Sequence, residues 1–224
     1  SAKDLYDAVR PLESVWVTPE VSKYVAIVGS STGIVFSHMV VVFPTSSFAF
    51  FAVIFSSLHS SWSETYSATL GNSTLRYSVA DGFETFPFPS PELLNPAGKK
   101  HLWTQSALQK LEMIGSACFA HRQTTMLNRG EGFTKTYNRF HNRSEQSADI
   151  VQLRSLHVQM DQAVAAAYGW SDLDLGHGFH ATKQGERYTL SEPARRTVLD
   201  RLLALNHQCY AEELRAGLHE KGSK

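Results

Sequence analysis

The sequence predicts an α+β fold, with a small sheet and a packed helix in the N-terminal half and helices in the C-terminal half. Short runs rich in β-branched and aromatic residues, which are typical of strands, precede Pro89. After Pro89, apolar residues recur at three- and four-residue steps, which indicates amphipathic helices. Hydrophobic residues make up 42% of the 224 residues, enough to bury a substantial core.

Strands are predicted first, over residues 15–17, 24–28 and 34–43. Residues 29–33, which are rich in glycine and serine, predict a turn between the last two strands. Pro19 interrupts the pattern after the first strand. We therefore expect short strands that pair into a small sheet.

A helix is predicted next, from Phe48 to about Thr65, with Ser46 or Ser47 as its N-cap. The helical period places its large apolar side chains on one face, which should lie on the sheet. These side chains are Phe51, Ile54, Phe55, Leu58 and Trp62.

Residues 34–58 form an apolar stretch, which Pro44 and the polar residues after it divide in two. Neither part reaches the roughly 20 residues that a membrane-spanning helix needs. No basic segment followed by a cleavage site opens the chain. We therefore expect a soluble, cytoplasmic protein with no membrane partner.

Because the chain opens on Ser1 and Ala2 rather than on methionine, we also expect it to be a fragment of a longer protein.

A polar loop is predicted over residues 70–74, followed by a return strand over residues 76–78. Pro87 and Pro89 exclude a central strand or a helix interior for the segment that comes next. We expect this segment to be an ordered, extended exit from the module. Its aromatic side chains should pin it against the core, namely Phe83, Phe86 and Phe88.

The change of composition at Pro89 predicts a domain boundary. We expect an α/β module over residues 1–90, a helical spacer and connector over 91–148, and a C-terminal helical segment over 149–224. Helices are predicted around residues 108–121, over residues 149–168 with Gly169 as a left-handed cap, and after Ser191. Polar connectors are predicted over residues 128–146 and 171–188.

Charge and cysteine content restrict the classes of function. Lys and Arg together number 21, equal to Asp and Glu, so the overall charge gives no attraction to a polyanion. If DNA is the partner, a larger parent protein should supply part of the phosphate attraction.

Cys118 and Cys209 both fall on helical patterns, which predicts two buried thiols, no disulfide framework and a reducing compartment.

Motifs for catalysis are missing from the sequence. It has no glycine-rich turn for an adenosyl cofactor, no Asn-Pro-Pro-Phe motif for a flipped base and no phosphate-binding loop. We therefore expect no catalytic residue and no cofactor in this chain. His177 and His180 have the residue type that binds zinc, which leaves a small metallohydrolase as an alternative to a plain polar loop.

A second group of polar residues has the chemistry of a reading surface. Asn72, Ser73, Thr74 and Arg76 carry the amides, hydroxyls and guanidinium that hydrogen-bond base edges and phosphates, although such residues also fill ordinary turns. Further along, residues 134–141 contain two cations that could contact a DNA backbone or belong to a solvated connector. These are Lys135 and Arg139.

Several motifs together carry a resemblance to a known family. The most specific are Phe-Glu-Thr-Phe-Pro-Phe-Pro at residues 83–89 and Ala-Tyr-Gly-Trp at residues 167–170. Others lie at residues 22–24, 51–62, 76–78, 134–141 and 153–164. With these motifs the chain resembles the target-recognition region of single-chain restriction-modification DNA methyltransferases, of the type of the MmeI-like enzymes and the phage-defence methyltransferase PglX.

The resemblance implies a DNA-reading fragment without catalytic residues. An upstream domain of the same parent would transfer a methyl group from S-adenosylmethionine to adenine N6 of double-stranded DNA, and some parents also cut DNA. The family's base-contacting loop corresponds to Asn72, Ser73 and Thr74, whereas Lys23 and Arg76 flank it as phosphate contacts or loop supports. The alternative is a structural or protein-interaction module of such a complex, which neutral charge and extensive helical stripes would favour.

Overall fold

The computed structural model describes residues 2–70, 74–89 and 105–218. Before Pro89 it contains, in chain order, α1 (Ala2–Val9), β1 (Ser14–Pro19), β2 (Val21–Ser22), β3 (Val28–Ser31), β4 (Val40–Phe43), α2 (Phe48–Phe55), α3 (Ser57–Tyr66), β5 (Ala68–Leu70), β6 (Thr74–Arg76) and a π-helical turn (Val79–Phe83). From residue 105 it contains α4 (Gln105–Arg129), α5 (Phe133–Phe140), α6 (Ala148–Ala167), β7 (Gly178–Thr182), β8 (Gly185–Thr189) and α7 (Glu192–Arg215). The predicted α+β class is confirmed.

The described strands form small antiparallel sheets, in the orders β3-β1-β4, β2-β6-β5 and β7-β8. The strand predicted over residues 24–28 is wrong except for its last residue, because β3 begins at Val28 and includes most of the predicted turn. Gly29 suits this strand because a Cβ there would already meet the Phe119 ring at 3.4 Å. Of the strand predicted over residues 34–43, only β4 is present. Residues 34–39 belong to no strand of the described structure, and Val35 is 86% exposed.

The single helix predicted over residues 48–65 is also wrong, because Ser56 is extended and separates α2 from α3. Ser56 Oγ accepts a hydrogen bond from the backbone N–H of His59 at 3.2 Å and so caps α3. The carboxylate of Asp161 accepts a second bond, from the N–H of Ser57 at 2.7 Å. At the break, caps that include a charged acceptor therefore replace the intrahelical hydrogen bonds of the Ser57 and His59 N–H groups.

Helix α2 lies at the centre of the core, with residues 49–55 all buried. The predicted N-cap at Ser47 is confirmed, and its hydroxyl also donates to Glu112 of α4 at 2.6 Å. Gly115 of α4 lies against the backbone carbonyl of Phe48, where a Cβ would collide with the oxygen. The backbones of α2 and α4 therefore cross in close contact.

The exit segment after β6 begins as the π-helical turn, so the prediction that it is extended throughout is wrong. Ser78 caps this turn by accepting from the N–H of Asp81 at 3.1 Å. The prolines that motivated the prediction restrict the backbone only at and just before their own positions, beyond this turn. Tyr168 donates to the Pro87 carbonyl at 2.9 Å and fixes the rest of the exit. The predicted aromatic anchors are confirmed: Phe86 is buried, and Phe83 and Phe88 pack on the core.

In the C-terminal part, α4, α6 and α7 confirm the predicted helices. Ser191 caps α7, and Gly169 after α6 has the expected positive φ of 78°. Both predicted connectors are wrong in part, because α5 lies within residues 128–146 and all but the last residue of the β7–β8 hairpin lies within 171–188. Both thiols are free, but Cys209 is exposed rather than buried.

A single hydrophobic cluster joins α2, α4, α6 and α7 with the first two sheets. It draws on all three predicted segments, whose boundaries stay a prediction. Within the described ranges, no helix combines the length and apolarity that crossing a bilayer requires.

Candidate nucleic-acid interface

The predicted reading loop connects β5 to β6 directly after α3. In this hairpin Leu70 pairs with Thr74, and residues 71–73 form the connection. Asn72 and Ser73 lie outside the described residues. Thr74 is half-buried at the start of β6. The hairpin is supported on its other side by β2, which pairs with β6.

Arg76 lies on β6 of this small sheet, and Lys23 comes directly after β2. Val21 pairs with Arg76, so Lys23 follows the strand next to the hairpin. Both basic side chains are exposed. Lys23 Nζ donates to the side-chain oxygen of Asn138 at 2.8 Å, and the hydroxyl of Tyr24 donates to the same oxygen at 2.9 Å.

Helix α5 carries the other predicted cations, which the structure places in different surroundings. Lys135 is exposed and lies one turn before Asn138. Arg139 forms ion pairs with Glu131 at 2.8 Å and with Glu145 at 2.9 Å. These carboxylates raise the pKa of Arg139 and compensate its charge within the protein. Arg139 is therefore a weaker candidate than Lys135 for a phosphate contact, and both assignments stay predictions.

A cavity of about 110 Å³ opens beside Lys23, between the β2–β6 strands, α3, α5, α6 and the β7–β8 hairpin. Aromatic side chains and cations form its outer wall, including Tyr24, His141, Arg187 and Tyr188. The rings of Tyr24 and His141 lie 5.0 Å apart, and Arg187 lies 5.4 Å from the centre of the Tyr24 ring. Residues from the N-terminal part, which contains the predicted DNA-reading sheet, and residues from the C-terminal part therefore line the same cavity.

The inner wall of the cavity is a buried polar network. Asp161 is fully buried, and its carboxylate accepts from the N–H of Ser57 at 2.7 Å and from His177 Nε2 at 2.8 Å. The hydroxyl of Tyr137 and Nε2 of His157 are hydrogen-bonded at 2.8 Å. Satisfied networks of this kind fix the relative positions of the elements that carry them, here α3, α5, α6 and the segment before β7.

Burial of two histidines makes stability depend on pH. Desolvation lowers the pKa of His59 and of His157 to about 4 in the folded protein. Between pH 6.5 and 4 the unfolded chain therefore binds protons that the folded chain does not. We expect the free energy of unfolding to fall as pH drops through this window, by up to about 3 kcal/mol for each histidine.

Urea unfolding measured from pH 7 to pH 4 would test this expectation. The substitution His157→Gln should flatten part of the pH dependence, and His207→Gln, at an exposed position of α7, is the matched control for the exchange itself. A wild-type stability that stays constant across the window would contradict the expected burial effect.

The metallohydrolase alternative required His177 and His180 to converge. Their rings instead have different partners, because His177 binds Asp161 and His180 binds the carbonyl oxygen of Gly176 at 2.9 Å. Across residues 2–70, 74–89 and 105–218, no group of three His, Cys, Asp or Glu side chains is arranged to hold a metal ion. Within these ranges the two histidines therefore contribute to no such group.

Arg187 is a basic residue at the cavity that the sequence analysis missed. It lies on β8 within the segment predicted to be a polar connector. Thr182 and Gly185 pair across a two-residue turn, and Gly185 has a φ of 98°. The sequence signal for this hairpin was Gly185, which follows the polar turn residues 183–184 between the two five-residue strands.

Comparisons with known proteins agree with this architecture. A family model described as the MmeI target recognition domain matches residues 11–90, which span β1 to β6. Among solved structures, the chain is similar to the type IIL restriction-modification enzyme MmeI in complex with DNA, with a TM-score of 0.59 and 14% sequence identity. The match covers 88% of this chain and 21% of that chain. None of the curated proteins matches. The predicted resemblance to this family is confirmed.

Proposed function

We propose that this chain is a sequence-specific reader of double-stranded DNA within a restriction-modification methyltransferase. The observation that carries the proposal is the match of residues 11–90 to a target recognition domain, because these residues contain the sheet and hairpin of the candidate interface. The similar enzyme is described as bound to DNA, and its fold extends over 88% of this chain.

Direct readout at the β5–β6 hairpin would provide the specificity. Asn72, Ser73 and Thr74 offer donors and acceptors for base edges, and a good bidentate contact discriminates by about 1–3 kcal/mol. Arg76, Lys23 and Lys135 would position the duplex through its phosphates, which carry no sequence information themselves. The hairpin pairs with β2 through β6 and follows α3, so Thr74 at the start of β6 has a fixed register.

Catalysis would belong to other parts of a longer parent protein. The chain corresponds to 21% of the similar restriction-modification enzyme, so most of that enzyme has no counterpart here. An upstream domain of the parent would transfer the methyl group of S-adenosylmethionine to adenine N6, in a cytoplasmic restriction-modification or phage-defence system. The present chain would then contain neither cofactor nor catalytic residues.

Selection from a pool of randomised DNA duplexes tests the proposed function. The chain is incubated with the pool, and the bound duplexes are sequenced after several rounds. We expect enrichment of one defined motif. Bound duplexes without a common motif would contradict sequence-specific reading. Absence of duplex binding would favour the alternative of a structural or protein-interaction module.

A further inference from the structure

Two basic side chains from distant parts of the chain meet at one aromatic ring. Lys23 Nζ lies 5.3 Å from the centre of the Tyr24 ring, and the guanidinium of Arg187 lies 5.4 Å from it. Both residues line the cavity beside the β2–β6 strands. Lys23 comes from the sheet of the candidate interface, whereas Arg187 comes from β8, outside residues 11–90.

These cations differ from most arginines of the surface because they lack a carboxylate partner. Among the described residues, neither Lys23 nor Arg187 has an acidic oxygen within 4 Å; the guanidinium of Arg187 donates to the backbone carbonyl of Glu186 instead. Other guanidiniums are paired with acidic side chains. They include Arg129, Arg139, Arg143, Arg195, Arg196 and Arg201.

A buried cation adds to the positive potential at this place. Arg154 is 6% exposed and donates to four backbone carbonyl oxygens rather than to a carboxylate. Burial lowers the pKa of His141, and Arg187, His157, Lys23 and Arg154 lower it further. His141 is therefore neutral at pH 7 and leaves the positive potential to the three nearby cations.

Two acidic groups also line this cavity. Asp161 is fully buried at the inner wall, and both of its oxygens accept hydrogen bonds. Glu64 on α3 is exposed, and its charge interacts with that of Arg187, but the two side chains form no ion pair. Lys23 is exposed as well. The donors of Lys23 and Arg187 are therefore not taken up by a carboxylate of the cavity and can bind an anion from solvent.

We propose that Lys23 and Arg187 together bind a phosphate group of the DNA backbone. This inference rests on the proposed function and extends the interface from the target-recognition match to the β7–β8 hairpin. Arginine offers paired donors suited to a phosphate, and lysine adds a compact charge. Tyr24 and Asn138 hold the two cations at the site, because the tyrosine ring contacts both and the amide oxygen accepts from Lys23.

The dependence of duplex affinity on salt measures this contact. We expect Lys23→Gln and Arg187→Gln each to weaken binding of a mixed-sequence DNA duplex and to lower the slope of log K against log [NaCl], and the double variant to lower it by about 0.9, the value for one phosphate contact. Arg187→Lys should keep most of the slope. Lys110→Gln, at an exposed position of α4, is the matched control and should change nothing.

Sequence preference separates this inference from the proposed function. Duplex selection with Arg187→Gln should give the wild-type motif, because a phosphate contact positions the DNA without reading bases. Wild-type salt slopes for both glutamine variants would overturn the phosphate site while leaving DNA reading intact. Failure of the wild-type chain to bind any duplex even at low salt, where phosphate attraction is strongest, would instead overturn the proposed function.

Discussion

Replacement of Asp161 by alanine is expected to lower the free energy of unfolding by about 3–5 kcal/mol. The carboxylate is fully buried and accepts from the N–H of Ser57 and from His177. Its removal leaves both donors unpaired in the core, and the N-terminus of α3 loses a charged acceptor. Because α3 leads directly into the β5–β6 hairpin, the same change should also weaken duplex binding.

Urea unfolding followed by circular dichroism measures this effect. Asp172→Ala is the matched control, because Asp172 pairs with Arg201 on the surface, where ion pairs contribute about 0–1 kcal/mol. A loss for Asp161→Ala as small as that of the control would contradict a structural role for the buried network.

Substitution of Gly115 by alanine is the second change with a large expected effect. Helix propensity alone predicts that alanine stabilises a helix interior by about 1 kcal/mol relative to glycine. At this position, however, the added Cβ would collide with the backbone carbonyl oxygen of Phe48. Since backbone cannot rotate away as a side chain can, α2 and α4 must separate, and we expect a net loss of about 1–3 kcal/mol.

Thr124→Ala on the exposed face of α4 isolates helix propensity from packing. It should be neutral or slightly stabilising in thermal unfolding, whereas Gly115→Ala should lower the midpoint clearly. A midpoint for Gly115→Ala at or above that of the wild type would show that the close crossing of α2 and α4 is not present in the protein.

The sequence predicts elements whose signals are local. Helix α7 follows Ser191, whose hydroxyl accepts from the N–H of Ala194. After the end of α6, Gly169 has the positive φ that this residue allows. The apolar stripe of α6 likewise corresponds to its buried face. Each signal lies within a few residues of the feature that it predicts, so tertiary structure does not overrule it.

Features that depend on distant partners could not be predicted in this way. The break at Ser56 is stabilised by Asp161, which follows Ser57 by 104 residues. Arg122 falls in a helical pattern but is fully buried, because the rings of Phe51 and Phe55 contact its guanidinium at 5.3 and 4.7 Å. The same holds at the candidate site, where residues 134–141 lie beside Lys23 through contacts that no spacing reveals.

In the proposed function, the end of the β5–β6 hairpin reads bases while the surrounding cations hold the backbone. Duplex selection with the combined substitutions Asn72→Ala, Ser73→Ala and Thr74→Ala tests this division of roles, with Arg76→Gln as the comparison. We expect the hairpin variant to bind DNA with a changed or relaxed motif, and Arg76→Gln to keep the wild-type motif at lower affinity. An unchanged motif in the hairpin variant, at wild-type affinity, would contradict this division of roles.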